Sequence, residues 1–319
     1  MGKSVVELEL ILAKLQTTFG TMVTPLSTTD YLQPGKPTIA LDVPAAKIES
    51  VGANFGQDPS VIGPREAAVT MSFPLRSGAA QDSPGDWAKI MQCCGFKETA
   101  TTHVYSYALA PSQADWKDLT LWGYSGGQGA NAALLQVVSN LLFSAKISLD
   151  FNTAFGSIDF TGKGAYSGLP VIATQPAVTR HSLKTANLIG FVGSFLDSTY
   201  TLLSINFDIG NEISVCLNPQ ATDGSGKGIS LLTDMKTKWD AKVYVDTALT
   251  RQPHVDLIAG TQGAISIAWG TAPNKFTVAS PVVQIESVKE SDENKVKTYD
   301  VSGICIGNNL SISVDTTSA

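Results

Sequence analysis

Charged side chains are scarce in this sequence. Asp, Glu, Lys and Arg together make up 16% of its 319 residues, whereas an average soluble domain has about 25%. The centres of protein–protein interfaces are depleted in the same residue types. The composition therefore favours a protein that covers much of its surface with partners, and it also fits a secreted β-protein with a surface rich in Ser and Thr.

Basic residues are outnumbered as well. The 22 Lys and Arg stand against 28 Asp and Glu, which gives a net charge of −6. A surface that binds nucleic acid needs a basic stripe to neutralise phosphates, so this balance argues against specific nucleic-acid binding. The negative charge does not exclude a channel surface along which DNA passes without binding, because like charges repel each other.

Metal and cofactor motifs are missing. The four cysteines form no Cys-x-x-Cys pair, and the three histidines are far apart in the sequence, so the usual spacing of metal ligands is absent. We expect no metal and no cofactor. We interpret the cysteines as buried thiols of a protein made in a cytoplasm; they are Cys93, Cys94, Cys216 and Cys305.

Membrane and export signals are missing too. No run reaches about 18 consecutive apolar residues, the length that a membrane helix requires. Residues 5–15 are apolar, but they include Glu7 and Glu9 and lack a small-residue cleavage site. They are therefore interpreted as a docking segment and not as a signal peptide.

Catalytic motifs in a recognisable context are the last absence: residues 123–127 spell Gly-x-Ser-x-Gly, but we interpret them as part of a flexible turn between strands. Residues 224–230 resemble a phosphate-binding loop, but the Gly that should precede them is Ala221, and Lys227 is followed by Gly where Ser or Thr is required. No nucleophile motif surrounds any of the three histidines, His103, His181 and His254. We therefore predict that the protein is not an enzyme.

The first 65 residues differ in character from the rest. The spacing of Val5, Leu8, Leu12 and Leu15 predicts a short amphipathic helix within residues 1–20. Residues 21–65 are rich in Pro and Gly and predict an extended arm. A structureless stretch of that length is unusual inside a compact domain, so we expect the arm to lie on a neighbouring subunit.

The remainder predicts a mainly β protein made of two tandem domains. A first β-domain spans 66–168, a linker spans 169–185, and a second β-domain spans 186–319. In the first, residues 67–76 alternate apolar and polar side chains, as a strand with one buried face does. A short helix is predicted at 87–94, ended by Gly95. Further strands are predicted at 104–109, 118–123, 133–138, 145–151, 156–162, 188–195 and 202–210.

A faint internal repeat supports two related domains. Residues 69–75 and 203–209 share the same pattern, with apolar residues at four alternate positions, and Phe73 aligns with Phe207. A helix is predicted after each, at 87–94 and at 229–239. We therefore predict two copies of one β-sandwich or barrel domain, each with a small flanking helix.

Several stretches resemble the major tail tube proteins of long-tailed bacteriophages, in particular the kind with two tube domains per chain. The resemblance lies in 67–79 (AAVTMSFPLRSGA), in 83–99 (SPGDWAKIMQCCGFKET), and near the C-terminus in 280–285 (SPVVQI) and 299–303 (YDVSG). The order of these fragments carries most of the resemblance. The arm at 21–65 matches the family least.

The resemblance implies a structural virion protein, made in the host bacterial cytoplasm and placed in the tail. Its inner strands would join those of neighbouring subunits into a β-lined ring, and a chain with two domains would need only three copies to make pseudo-six-fold symmetry. Such rings stack into a tube around a tape-measure protein, between a tail terminator and a distal-tail protein, and later pass DNA. Stacking agrees with the rule that a heterologous contact which does not close grows a filament.

The polar faces of the alternating strands are candidates for the lumen of such a tube. We predict that the lumen-facing residues include Thr70, Ser72, Ser204, Asn206 and Asp208, with their apolar neighbours facing the core. Two alternatives stay open. One is a distal-tail or baseplate hub protein on the same scaffold, and the other is a carbohydrate-binding β-protein, although the five tryptophans are scattered in the sequence.

Overall fold

The computed structural model describes residues 8–47, 60–78, 83–110, 112–126, 132–153, 155–178, 183–188, 192–196, 201–222, 225–244 and 252–317. Within them the chain is mainly β, as predicted, and its strands pair antiparallel throughout. Two short helices occur, α1 (Trp87–Gln92) and α2 (Pro253–Ala259). Single 3-10 turns lie at Gln113–Asp115 and Ile306–Asn308. No helix in the described part of the chain is long and apolar enough to cross a membrane.

The strands follow one another with few long connections. In chain order they are β1 (Leu8–Leu15), β2 (Tyr31–Leu32), β3 (Gly35–Asp42), β4 (Ala45–Lys47), β5 (Ser60–Ile62), β6 (Glu66–Pro74), β7 (Arg76–Gly78), β8 (Phe96–Thr101), β9 (Val104–Leu109), β10 (Leu119–Ser125), β11 (Ala132–Asp150), β12 (Ser157–Thr174), β13 (Leu183–Thr185), β14 (Val192–Phe195), β15 (Leu202–Asp208), β16 (Asn211–Leu217), β17 (Lys227–Met235), β18 (Lys238–Tyr244), β19 (Gln262–Trp269), β20 (Lys275–Glu293), β21 (Val296–Cys305) and β22 (Ser311–Asp315).

One sheet of 16 strands organises the molecule. Its central path runs β3-β6-β12-β11-β15-β18-β21-β20, so it joins both halves of the sequence through the pairing of β11 with β15. The two longest strands, β11 and β20, extend beyond this path and carry β10 and β19 at their N-terminal ends. Hydrogen bonds therefore cross the boundary between the two predicted domains.

The order of pairing occurs twice along the chain. In the first half β1 pairs with β10, β10 with β11, β11 with β12, β12 with β6 and β6 with β3. In the second half β14 pairs with β19, β19 with β20, β20 with β21, β21 with β18 and β18 with β15. A separate hairpin follows the first inner strand in each half, β4–β5 after β3 and β16–β17 after β15. The helices α1 and α2 occupy the same place in the two series.

This topological repeat corrects the sequence alignment on which the repeat was predicted. Phe73 lies in β6 and Phe207 in β15, which are not counterparts, because β6 corresponds to β18 and β15 to β3. The predicted helix at 229–239 is wrong: these residues form β17, a turn and the start of β18. Within β17 the polar Ser230 is buried while the apolar Ile229 faces outward. Because the polar side chain lies inside and the apolar one outside, the sequence of β17 does not show the usual alternation of a strand.

The N-terminal helix prediction is also wrong for the described residues. Residues 8–15 form β1, held between β10 and β2. Leu10 and Leu12 pack into one small core cluster and Ile11 and Ala13 into the main core. Because both faces of the strand are buried, its apolar residues show no alternation, and such a run is easily mistaken for a helix.

The described part of the arm at 21–65 is not structureless. It contains β2 to β5, and β3 pairs with β6 of the same chain, so it extends the chain's own sheet. The linker predicted at 169–185 is likewise partly regular, because β12 continues through Thr174 and β13 pairs with β7. The strands predicted at 133–138 and 145–151 are one strand, β11, with an irregular register between Ser139 and Leu142.

The predictions for the centre of the first half are confirmed. In β6, Val69, Met71 and Phe73 are buried while Thr70 is exposed. The predicted strand at 104–109 is β9, and helix α1 lies at the predicted place. Gly95 follows α1 with a φ of 83°, a conformation that glycine adopts without strain.

One hydrophobic core lies behind the central path and draws residues from both halves. The ring of Trp87 in α1 lies 6.1 Å from that of Phe276 in β20, and Phe276 stacks on Trp269 at 5.5 Å. Phe73 and Phe160 meet edge to face on neighbouring strands. The core therefore covers one face of the central sheet.

Candidate functional site: a polar sheet face with two open edges

The side of the central path away from the core is polar along all eight strands. The five candidate lumen residues lie on this surface, which we call the polar face. Thr70 and Asp208 are exposed, whereas Ser72, Ser204 and Asn206 are half-buried. The structure thus brings the candidates from the two halves onto one continuous surface. Whether this surface lines a tube stays a prediction.

Strand register aligns opposite charges across the polar face. Lys146 of β11 lies between two carboxylates, Asp159 of β12 on one side and Asp208 of β15 on the other. On its far side, Asp208 lies opposite Lys238 of β18. Directly opposed charges of unlike sign stabilise a sheet, by about 0.2–1 kcal/mol per pair. The arrangement also places each of these lysines next to a carboxylate, so this row forms no basic stripe.

Hydrogen bonds tie the polar face together from strand to strand. The hydroxyls of Thr38 and Thr70 are 2.6 Å apart between β3 and β6. The Asn206 amide donates to a carboxylate oxygen of Asp240 at 2.7 Å between β15 and β18. Near the far end Lys242 donates to Glu293 at 2.8 Å, a bond that raises the pKa of the lysine.

Sequence reasoning missed the other members of this face. Lys146 and Asp159 lie on predicted strands, but only the register of β11 with β12 shows that they meet. Register depends on contacts between residues far apart in the sequence and cannot be read from alternation within one strand. The only available signal was the alternation itself, which correctly separates polar from apolar positions in these strands.

The central path has an open edge at each end. β3 pairs with β6 on one side, and no described strand pairs with its other side. At the opposite end, β19 pairs with β20 only as far as Gln284, and beyond it no described strand pairs with that side of β20. Leu41, on β3, is 44% exposed. Open edges with exposed apolar residues are templates for pairing with another chain.

The junction of β11 with β15 shows what such an edge becomes when it is paired. β10 pairs with β11 as far as Leu141, and β15 then takes the same side of β11 from Lys146 to Asp150. Ile205 and Phe207 of β15 are completely buried there. In the repeat, β20 corresponds to β11 and β3 to β15, so the two open edges belong to the counterparts of the two strands that pair at this junction.

The structure places the other described candidate residues apart from one another. Lys227, from the segment that resembles a phosphate loop, forms an ion pair with Glu66 at 3.0 Å. His254 packs edge to face on Tyr299, and His103 lies in a turn with a φ of 63°. His181 lies outside the described residues. No group of three or more His, Cys, Asp or Glu able to hold a metal occurs in the described ranges.

The cysteines and tryptophans are mainly core residues. Cys93 and Cys94 are buried, and burial raises the pKa of both thiols well above the usual value. Trp87, Trp239 and Trp269 are almost fully buried. The remaining tryptophans are half-buried, and they are Trp116 and Trp122. The carbohydrate-binding alternative therefore finds no exposed tryptophan platform.

Comparison with protein-family models and with curated proteins finds no match for the chain.

Proposed function

We propose that the protein is a structural subunit that polymerises by pairing the open edge of β20 in one copy with the open edge of β3 in the next. The observation that carries this proposal is the β11–β15 junction, because it joins the counterparts of these two strands inside the chain. A contact that repeats head to tail closes into a ring when the rotation between copies divides a full turn evenly. Ring closure also removes both edges, which a lone subunit would expose to unwanted pairing.

Three copies would give a ring of the right kind for a conduit. Each central path has eight strands, so three copies supply about 24 strands. If neighbouring strands are about 4.8 Å apart and tilted by about 40° to the barrel axis, the barrel has a diameter of about 50 Å, measured between backbones. Such a barrel leaves an open channel lined by the polar face. Thr70, Ser72, Ser204, Asn206 and Asp208 would face this lumen.

Within this class, we propose that the protein is the major tail tube protein of a long-tailed bacteriophage. The two topological repeats agree with the two-tube-domain kind that the sequence resembles. The rings would stack around a tape-measure protein, between tail terminator and distal-tail proteins, in a tail assembled in the bacterial cytoplasm. The mixed charge of the lumen suits DNA that passes without specific binding.

Electron microscopy of the purified full-length protein tests the proposal. We expect rings with three-fold symmetry that stack into tubes as the protein concentration rises, with an unbroken wall of strands around the lumen. Single rings that never stack would favour the distal-tail or hub alternative. A protein that stays monomeric at all concentrations, with β3 and β20 accessible to hydrogen exchange, would contradict both.

A further inference from the structure

We infer that the β4–β5 hairpin of one copy lies on a surface of the neighbouring copy formed by α2 and the adjoining part of β20, which we call the α2 surface. This inference rests on the proposed function, because it needs the β20–β3 junction between copies. It goes further by naming a second contact and both of its members. The other hairpin of the chain, β16–β17, makes the corresponding contact within a single copy.

The β16–β17 hairpin leaves β15 and lies over the first half of the molecule. Asn140 of β11 donates its amide to the Gly228 carbonyl of the hairpin at 3.0 Å. From the other side, Asn211 in β16 donates to the carbonyls of Cys94 and Phe143, at 2.9 and 2.8 Å. The hairpin that follows β15 is therefore bonded to the strand with which β15 pairs and to the residues after α1.

Side chains of this hairpin cover the end of α1. A Cβ atom placed on Gly95 would lie 3.0 Å from Leu232 and 3.2 Å from Met235, both in β17. Leu232 is 9% exposed. The hairpin therefore packs on the residues that directly follow α1, Cys94 and Gly95.

Within the part of the chain that the structure describes, no second hairpin covers the corresponding place on the second half. Gly260 ends α2 with a left-handed φ of 63°, whereas Gly95 lies just beyond the C-cap of α1. Among the described residues, a Cβ placed on Gly260 would meet only Gln284, at 3.6 Å. On α2 itself Ile258 is 87% exposed and Val255 is 61% exposed. Exposed aliphatic side chains grouped on one short helix mark a contact surface.

The β4–β5 hairpin is the counterpart of β16–β17, and among the described residues it has no comparable packing surface within its own chain. It follows β3 as β16–β17 follows β15, and its extensive contacts within the described residues are those between its own two strands. Its base is fixed, because Gly63 N–H donates to the Pro44 carbonyl and Arg65 N–H donates to the Ser225 carbonyl. Ala45, in β4, is exposed.

Pairing of β3 with β20 of a neighbour would carry this hairpin to the α2 surface. Inside the chain, pairing of β15 with β11 places β16–β17 over the end of α1. The same relation between copies places β4–β5 over the end of α2. The occupant of the α2 surface is therefore a second copy of this chain, and the contact fixes the angle between adjacent subunits as well as their spacing.

Site-specific photo-crosslinking of the assembled protein tests this contact. A photoreactive phenylalanine at Ile258 should form crosslinks between copies that map by mass spectrometry to β4 or β5, within residues 43–47 or 60–65. The same probe at Leu217, which is 69% exposed on β16, is the control and should not react with that segment. Crosslinks from Ile258 that map elsewhere in an intact ring would overturn the inference and leave the proposed function standing. Failure to form any oligomer would overturn both.

A matched pair of variants gives an independent measure. Ile258→Asp should raise the concentration needed for assembly by at least about tenfold, because a carboxylate would be buried without a partner. Ile258→Leu should assemble like the native protein. The melting temperature of the dilute subunit should be unchanged in both, because the side chain is exposed there. Equal assembly of the Asp and Leu variants would contradict the inference.

Discussion

At the scale of single residues, Asp118 is the carboxylate with the most unusual surroundings. It is buried, one oxygen accepts the Gly20 N–H at 2.8 Å, and the other finds no partner among the described residues. Burial raises the pKa of this carboxyl group from 3.8 to about 6, and the Gly20 hydrogen bond opposes the shift. The native state therefore binds this proton more tightly than the unfolded chain does.

The raised pKa of Asp118 determines whether the subunit gains or loses stability as pH rises. Because the folded pKa is raised, the native state is stabilised where Asp118 is protonated and loses that stability as pH rises from about 4 through 6. In Asp118→Asn the loss should disappear. The free energy of unfolding of the variant relative to the native protein should rise by about 1–2 kcal/mol between pH 4 and pH 7.

Urea unfolding of the dilute subunit at several pH values measures this difference. Asp42→Asn, which removes the same charge from an exposed position, serves as the control. A difference between Asp118→Asn and the native protein that stays constant across this pH range would show that Asp118 does not titrate there.

At the scale of elements, the edge of β3 makes a sharp prediction about assembly. Leu41→Lys places a charge on the apolar side of an open edge strand, which natural proteins use to prevent edge pairing. We expect the variant to fold normally, because Leu41 is 44% exposed, and to remain monomeric at concentrations where the native protein forms rings. Sedimentation velocity separates the two states.

Leu41→Val is the matched control, since it keeps an apolar side chain and suits a strand. It should assemble like the native protein. Rings formed equally well by Leu41→Lys would mean that β3 is not an intersubunit edge.

The elements also show how far the sequence predicts this fold. Where one face of a strand is buried, as in β6 with Val69, Met71 and Phe73, alternation predicts the strand and its orientation. It fails for β1, where both faces are buried, and for β17, where Ser230 faces inward. The five lumen candidates were found from alternation alone. Their neighbours Lys146 and Asp159 were not, because register is a property of the folded sheet.

At the scale of the whole molecule, the polar face predicts how a tube treats DNA. Lys146 lies between Asp159 and Asp208 in register, so its charge is opposed on both sides. Replacing both Asp residues by Asn would leave a line of lysines repeated around every ring. Assembled tubes of this variant should bind duplex DNA at low salt and release it as salt rises, whereas native tubes should not bind.

Fluorescence anisotropy of a labelled duplex measures this binding. The control is the double variant Asp115→Asn and Glu212→Gln, which makes the same change in net charge at ion-paired surface positions away from the polar face. Control tubes should behave like native tubes. Equal DNA binding by both variants would show that the effect reflects overall charge and that the polar face has no special exposure to DNA.

The β11–β15 junction has a further consequence for the speed of ring formation. One of every two junctions in a three-chain ring is already closed within a chain, at the high effective concentration that a covalent connection provides. Joining three chains takes two encounters in solution, and the last of the three junctions between chains then closes within the assembled trimer. The initial rate of ring formation should therefore rise with no more than about the third power of subunit concentration, instead of the sixth power that separate single-repeat chains could reach. Fusing two repeats in one chain would thus favour complete rings at the low subunit concentrations of early assembly.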